Sequence, residues 1–207
     1  MNSGLSITID EQTIGLIACT KPLKALGTGF IFLRPEWVVT AKHVVINPTT
    51  GGLRPGIAFS SKGRLFPPKG IVVRPRNGYD VAVLELAEVP PCQVPLYPSY
   101  IGLAGDPRGL LSAGYRPSLN QGNVRSIDVS HITSFEVEKR EHSFGPEEVI
   151  VFDAKNVEPG SSGGPVFSWS GGVAGIIIEG PSIESSGAQQ GRARATSIIP
   201  LLSEGVL

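Results

Sequence analysis

Short β-prone runs follow one another along almost the whole chain, and glycine or proline closes each before it reaches helical length. They are LSITI, TIGLIACT, GTGFIFL, EWVVTA, GIAFS, GIVVRP and DVAVLEL, then NVRSIDV, HITSFEVE, EVIVFDA, GPVFSW, GVAGIIIEG and RATSIIP. Between them NPTTGG, PPKG, PRNG, GDPRG and SWSGG carry turn chemistry. The 26 glycines and 18 prolines among 207 residues follow no period, so they read as punctuation between strands. Helical periodicity is weak. It is confined to a short turn at AKHVV and a tail, IIPLLSEGVL, with Pro200 near its start. The pattern predicts an all-β fold, and strand count and spacing favour barrels over a sandwich.

The segment VPPCQVPLYPSY (89–100) holds four prolines and cannot continue a central strand, so it reads as a linker between halves of about 1–90 and 100–207. Neither half is a recognisable repeat of the other. An apolar fraction of 41% suffices for a real core. Eighteen basic residues balance eighteen acidic ones, which argues against a nucleic-acid partner, since that would need a basic footprint. No apolar run is long enough to span a bilayer, so no membrane partner is expected. The first twenty residues lack a positively charged stretch before their apolar residues, and no export signal is expected. Cys19 and Cys92 have no metal-ligand spacing and are read as reduced thiols of a cytoplasmic protein.

Residues 157–167, VEPGSSGGPVF, set two serines between glycines and a proline. A serine hydroxyl attacks an amide only when a base takes its proton, a third group orients the base and backbone donors receive the oxyanion. The chain has three histidines. His131 and His142 lie in polar text and read as solvated residues. His43 closes the apolar strand WVVTA at a short turn, from which an imidazole projects off a rigid scaffold. Asp80, at the mouth of the apolar strand in YDVAVLEL, needs hydrogen-bond partners there; taken alone it could equally satisfy a turn.

Together the three blocks match one family. WVVTAKHVV resembles the T-A-x-H block of trypsin-like serine proteases, YDVAVLEL their D-[ILV]-A-[VL]-L strand, and VFDAKNVEPGSSGGPVF their G-[DN]-S-G-G-P nucleophile loop. The text around the serine, with GTGFIF before the histidine strand and GVAGIIIEG and RATSIIP after the serine, is most similar to the protease domain of bacterial HtrA/Deg proteins. The resemblance runs from about Gly27 to Pro200. It implies a chymotrypsin-like fold, two six-stranded antiparallel β-barrels with the active site in the crevice between them and a short C-terminal helix, forming one peptidase domain.

The resemblance also implies roles. Ser162, directly before Gly163-Gly164-Pro165, is the expected nucleophile, His43 the base and Asp80 its orienting group. The backbone N–H groups of Gly160 and Ser162 are the expected oxyanion hole. Asn156 would sit near the floor of the specificity pocket, and Ile178, Glu179 and Gly180 would pair with substrate, with Gly180 leaving the pocket mouth open. An uncharged floor favours apolar or small P1 residues over Lys or Arg, and Glu179 would repel acidic peptides. The expected partner is a protein or peptide substrate. No metal or organic cofactor is needed.

Three departures from the family pattern matter. Ser161 stands where relatives carry Asp or Asn, so no buried amine–carboxylate pair orders the loop and no zymogen cleavage of that kind is expected. Loop order must come from elsewhere, from a regulatory protein partner or from substrate. Val44 replaces the cysteine that bridges beside the histidine in secreted relatives, and no PDZ domain is expected after residue 207. A catalytically silent binding module with this fold, a latent protease released by a partner and a viral polyprotein-processing protease are the alternatives.

Overall fold

In a computed structural model, residues 12–73, 79–91, 94–99, 110–115, 127–142, 145–153, 157–158, 160–180 and 191–203 are described. The expected LSITI strand lies outside them. Two antiparallel sheets make up the molecule. The first contains β1 (Ile14–Thr20), β2 (Leu23–Ile31), β3 (Trp37–Ala41), β4 (Ile57–Ser61), β5 (Arg64–Phe66), β6 (Pro68–Val73) and β7 (Val81–Leu86). The second contains β8 (Leu111–Tyr115), β9 (Ile127–His131), β10 (Phe135–His142), β11 (Gly145–Asp153), β12 (Pro165–Phe167), β13 (Val173–Glu179) and β14 (Arg192–Ser197). Two short helices, α1 (Lys42–Val45) and α2 (Ile199–Ser203), fall at the two places the sequence allows them.

Each sheet has seven strands, yet each is built from six staves. The first runs β5-β4-β1-β2-β3-β7-β6, so its edges, β5 and β6, are successive pieces of chain separated by Pro67 alone. Proline donates no ladder hydrogen bond. The sixth stave therefore breaks at Pro67-Pro68, one piece pairing with β4 and the other with β7, and the sheet nearly closes on itself. PPKG, which reads as a turn, is this break and the start of β6. The second sheet runs β10-β11-β14-β13-β12-β8-β9, and its edges β9 and β10 are again successive, separated by residues 132–134. HITSFEVE thus divides between two strands. Both halves have the same ring order.

Three apolar clusters fill the molecule. Ile17, Ile31, Val38, Phe59, Ala82 and Leu84 belong to the core of the first half, and Ile150, Phe152, Val166, Ile177 and Ala195 to that of the second. The third cluster joins Phe30, Phe32, Val39 and Val83 of the first half to Leu111, Phe167, Ile176 and Ile198 of the second. Successive residues of β2, β3, β7 and β13 thus enter different cores. This is why GFIF, WVV, VAVL and III read as continuous apolar runs rather than alternating ones. The linker adds backbone bonds between the halves: Leu96 pairs with residues 31–33, while Tyr97 and Ser99 pair with Val173.

Candidate active site

The β3–β7 register brings His43 and Asp80 together. Ala41 lies opposite Val81, so the chain turns into α1 where β7 begins. Ala41 offers no side-chain cap, and Asp80 supplies the missing acceptors: Lys42 N–H donates to Asp80 O (3.1 Å) and His43 N–H to Asp80 Oδ1 (2.8 Å). The other carboxylate oxygen, Oδ2, lies 2.5 Å from His43 Nδ1. A carboxylate accepts, so this contact keeps the proton on Nδ1 and leaves the Nε2 lone pair for another partner. Val44 and Val45 anchor the turn in the core, with Leu26 packed against the same cluster.

The glycine-rich loop answers which serine is available. Ser161 is buried (3% exposed), whereas Ser162 is partly exposed. Gly163, with φ +89°, fits because a Cβ there would lie 2.1 Å from Thr28 O and 2.3 Å from Thr40 Oγ1. That close approach sets Ser162 against β2 and the end of β3, one residue from α1. Among the described residues no hydrogen bond joins Ser162 Oγ to the imidazole; such contacts are often long without substrate and tighten when it binds.

Alternate amides of the loop are used differently. Ser161 N–H donates to Glu158 O, Gly163 N–H to Ile177 O and Gly164 N–H to Ser161 O. Among the described residues the N–H groups of Gly160 and Ser162 have no acceptor. Gly160 has φ +105°, a region that side chains disfavour.

Thr28, which no sequence motif singles out as a site residue, holds the serine loop. Its N–H donates to Ser162 O (2.8 Å), and its hydroxyl donates to Gly160 O (2.7 Å) while accepting from Tyr115 N–H (2.9 Å). Thr40 Oγ1 donates to Thr28 O (2.7 Å), completing the chain. Two loop carbonyls are thereby pinned to β2, which supplies the order that Ser161 cannot supply through a charge. No local motif announces this, because the partners are 132 residues apart.

On the other flank the last rung between β12 and β13 is Pro165↔Ile176, and Ile177 still bonds to Gly163 and Gly164. Ile178 lies where the β13–β14 register shifts, and Glu179 and Gly180 extend past the β12 pairing. Among the described residues a Cβ on Gly180 would meet only Val157, at 3.8 Å or beyond. Glu179, expected to repel acidic peptides, is paired here: Arg194 Nη1 donates to its Oε2 at 2.9 Å. Asn156 lies outside the described residues. His131 ends β9, exposed, and His142 ends β10. Among the described residues no group of His, Cys, Asp and Glu is arranged to hold a metal ion, and no helix is long and apolar enough to cross a membrane.

Two barrel-like halves with a histidine–aspartate pair and a glycine-rich serine loop at their junction define a chymotrypsin-like serine protease. The chain belongs to the trypsin-like peptidase domain family, whose model matches residues 27–176. No curated protein matches it in sequence. Among solved structures it is similar to the Rv3671c protease from M. tuberculosis in its active form (TM-score 0.62, 21% identity, 93% of this chain and 78% of that one). It is also similar to the thermostable serine protease AL20 from an extremophilic microorganism (0.62, 15%, 91% and 92%). The HtrA-type protease AlgW is a third such structure (0.63, 20%, 95% and 60%).

Proposed function

We propose that the chain is a serine endopeptidase in which His43, Asp80 and Ser162 form the catalytic triad and the amides of Gly160 and Ser162 the oxyanion hole. The observation that carries this is the 2.5 Å contact of His43 Nδ1 with Asp80 Oδ2, which leaves Nε2 free at a junction shared with the Ser162 loop. Ser162 Oγ attacks the scissile carbonyl and its proton passes to His43 Nε2. Asp80 holds the imidazole in the required tautomer and stabilises the imidazolium. The oxyanion is received by the two amides that lack acceptors among the described residues. His43 then returns the proton to the leaving amine as the C–N bond breaks. Water, deprotonated by the same imidazole, opens the acyl-enzyme.

The backbone of the substrate's N-terminal side pairs with residues 178–180, past the end of β12, and the whole described chain works as one peptidase domain. Thr28 supports a site that stands without a partner, because the order of the nucleophile loop comes from within the chain. A peptide-library cleavage profile tests this. Purified wild type is expected to cut unstructured peptides unaided, and Ser162→Ala to leave them intact. Activity that needs an added partner would favour a latent protease, and none under any condition a silent binding module.

A further inference from the structure

A cavity of about 360 Å³ opens between the β1–β2 hairpin and the loop that follows α1. It adjoins the candidate catalytic residues at two points. Arg54 Nη2 donates to His43 O (3.1 Å) on its wall. Leu26, also on the wall, precedes Gly27, where a Cβ would lie 2.7 Å from Ser162 O. The nucleophile loop is held between two flanks. Gly163 N–H bonds to Ile177 of β13 on one, and Thr28 of β2 bonds to Ser162 O on the other. The cavity belongs to the β2 flank, across the loop from residues 178–180.

Its lining is cationic. Lys21, Lys24 and Arg54 face it beside Asn47 and Cys19, and among the described residues no carboxylate lines it. Elsewhere Arg64, Lys69, Arg192 and Arg194 each have a carboxylate partner. Among the described residues neither Lys21 nor Lys24 has one, and Arg54 donates to a backbone carbonyl. A concave site lined by one sign of charge concentrates its potential on an incoming group of the opposite sign. The volume lies within the range of side-chain and small-ligand pockets.

We propose that this cavity is a subsite for an acidic side chain on the leaving-group side of the scissile bond. The inference rests on the triad reading above. With the substrate's N-terminal side on residues 178–180, the chain beyond the cut crosses Ser162 toward Gly27 and reaches the cavity within its first few residues. Lys21 and Lys24 supply most of the selection, since both ammonium groups are exposed and mobile enough to meet a carboxylate.

Internally quenched peptides that differ only in carrying Glu, Ala or Lys at the first three positions after the cut test the proposal. Wild type is expected to favour Glu over Lys by about fivefold or more in kcat/KM, the scale of a few exposed ion pairs, and the ratio should shrink as salt is raised. In Lys21→Glu/Lys24→Glu the ratio should invert, and in Lys21→Gln/Lys24→Gln it should approach one. Stoichiometric fluorophosphonate labelling of wild type at Ser162 is measured alongside. Labelling with a flat ratio overturns the subsite and leaves the triad reading standing, whereas no labelling and no cleavage overturns both. If polyglutamate alters turnover of the Ala peptide while the ratio stays flat, the cavity docks an acidic partner and the substrate assignment is wrong.

Discussion

At Asp80 one carboxylate does two jobs: Oδ1 caps α1 and Oδ2 holds the imidazole. Asp80→Asn keeps the size but no longer enforces the Nδ1–H tautomer. We expect kcat to fall by about 10³–10⁴ with little change in KM, measured on a peptide substrate. At Thr28 the loss is of geometry. Thr28→Val leaves Gly160 O and Tyr115 N–H without their hydroxyl partner, which should lower kcat by roughly 10- to 100-fold if the oxyanion amides drift. Thr28→Ser restores the hydroxyl and should recover most of the rate; a serine variant as slow as the valine one would show that the hydroxyl does not act through the loop. The two residues differ in legibility. Asp80, His43 and Ser162 each sit in a short stretch that resembles a family block, and the three blocks together prompt the proposed roles. Thr28 lies in GTGFIF, a stretch that carries the resemblance but does not disclose what its hydroxyl bonds, because those partners come from the other half of the chain.

At the scale of elements, strands with strong apolar runs were legible and those shaped by contact were not. β8, LSAGY, has little β propensity. Its Gly114 is required where a Cβ would come within 2.9 Å of Ser161 Cα, so packing against the loop overrides propensity. β5, RLF, is too short to register as a periodic run and exists because the stave breaks at Pro67. The double burial of β2 makes a further prediction. Phe30 and Phe59 are both fully buried, but Phe30 belongs to the cluster shared by the halves and Phe59 to the core of the first half. Either residue changed to Ala should cost about 3–5 kcal/mol in urea denaturation. Phe30→Ala alone should also slow the labelling of Ser162 under conditions where both variants remain folded. Equal activity in the two would mean that the shared cluster does not set the register of the site.

The whole molecule is two rings of the same strand order whose sequences show no recognisable repeat. The order is carried by which strands pair and where prolines or short links break a stave, and neither needs similar side chains. Because one apolar cluster joins the rings, they are expected to unfold together. In a Trp169→Phe variant the remaining Trp37, which lies in the shared cluster, should report a fluorescence transition that coincides with the loss of far-ultraviolet circular dichroism. Separate transitions would show that each half folds on its own. The site itself is a property of the whole, since the proposed base, His43, and the proposed nucleophile, Ser162, come from opposite rings. Intact mass spectrometry after fluorophosphonate treatment tests that convergence most directly. One adduct per chain is expected, mapped to Ser162 and nearly abolished by His43→Ala; unmodified wild-type protein, or an adduct that forms equally fast without the imidazole, would contradict a shared site.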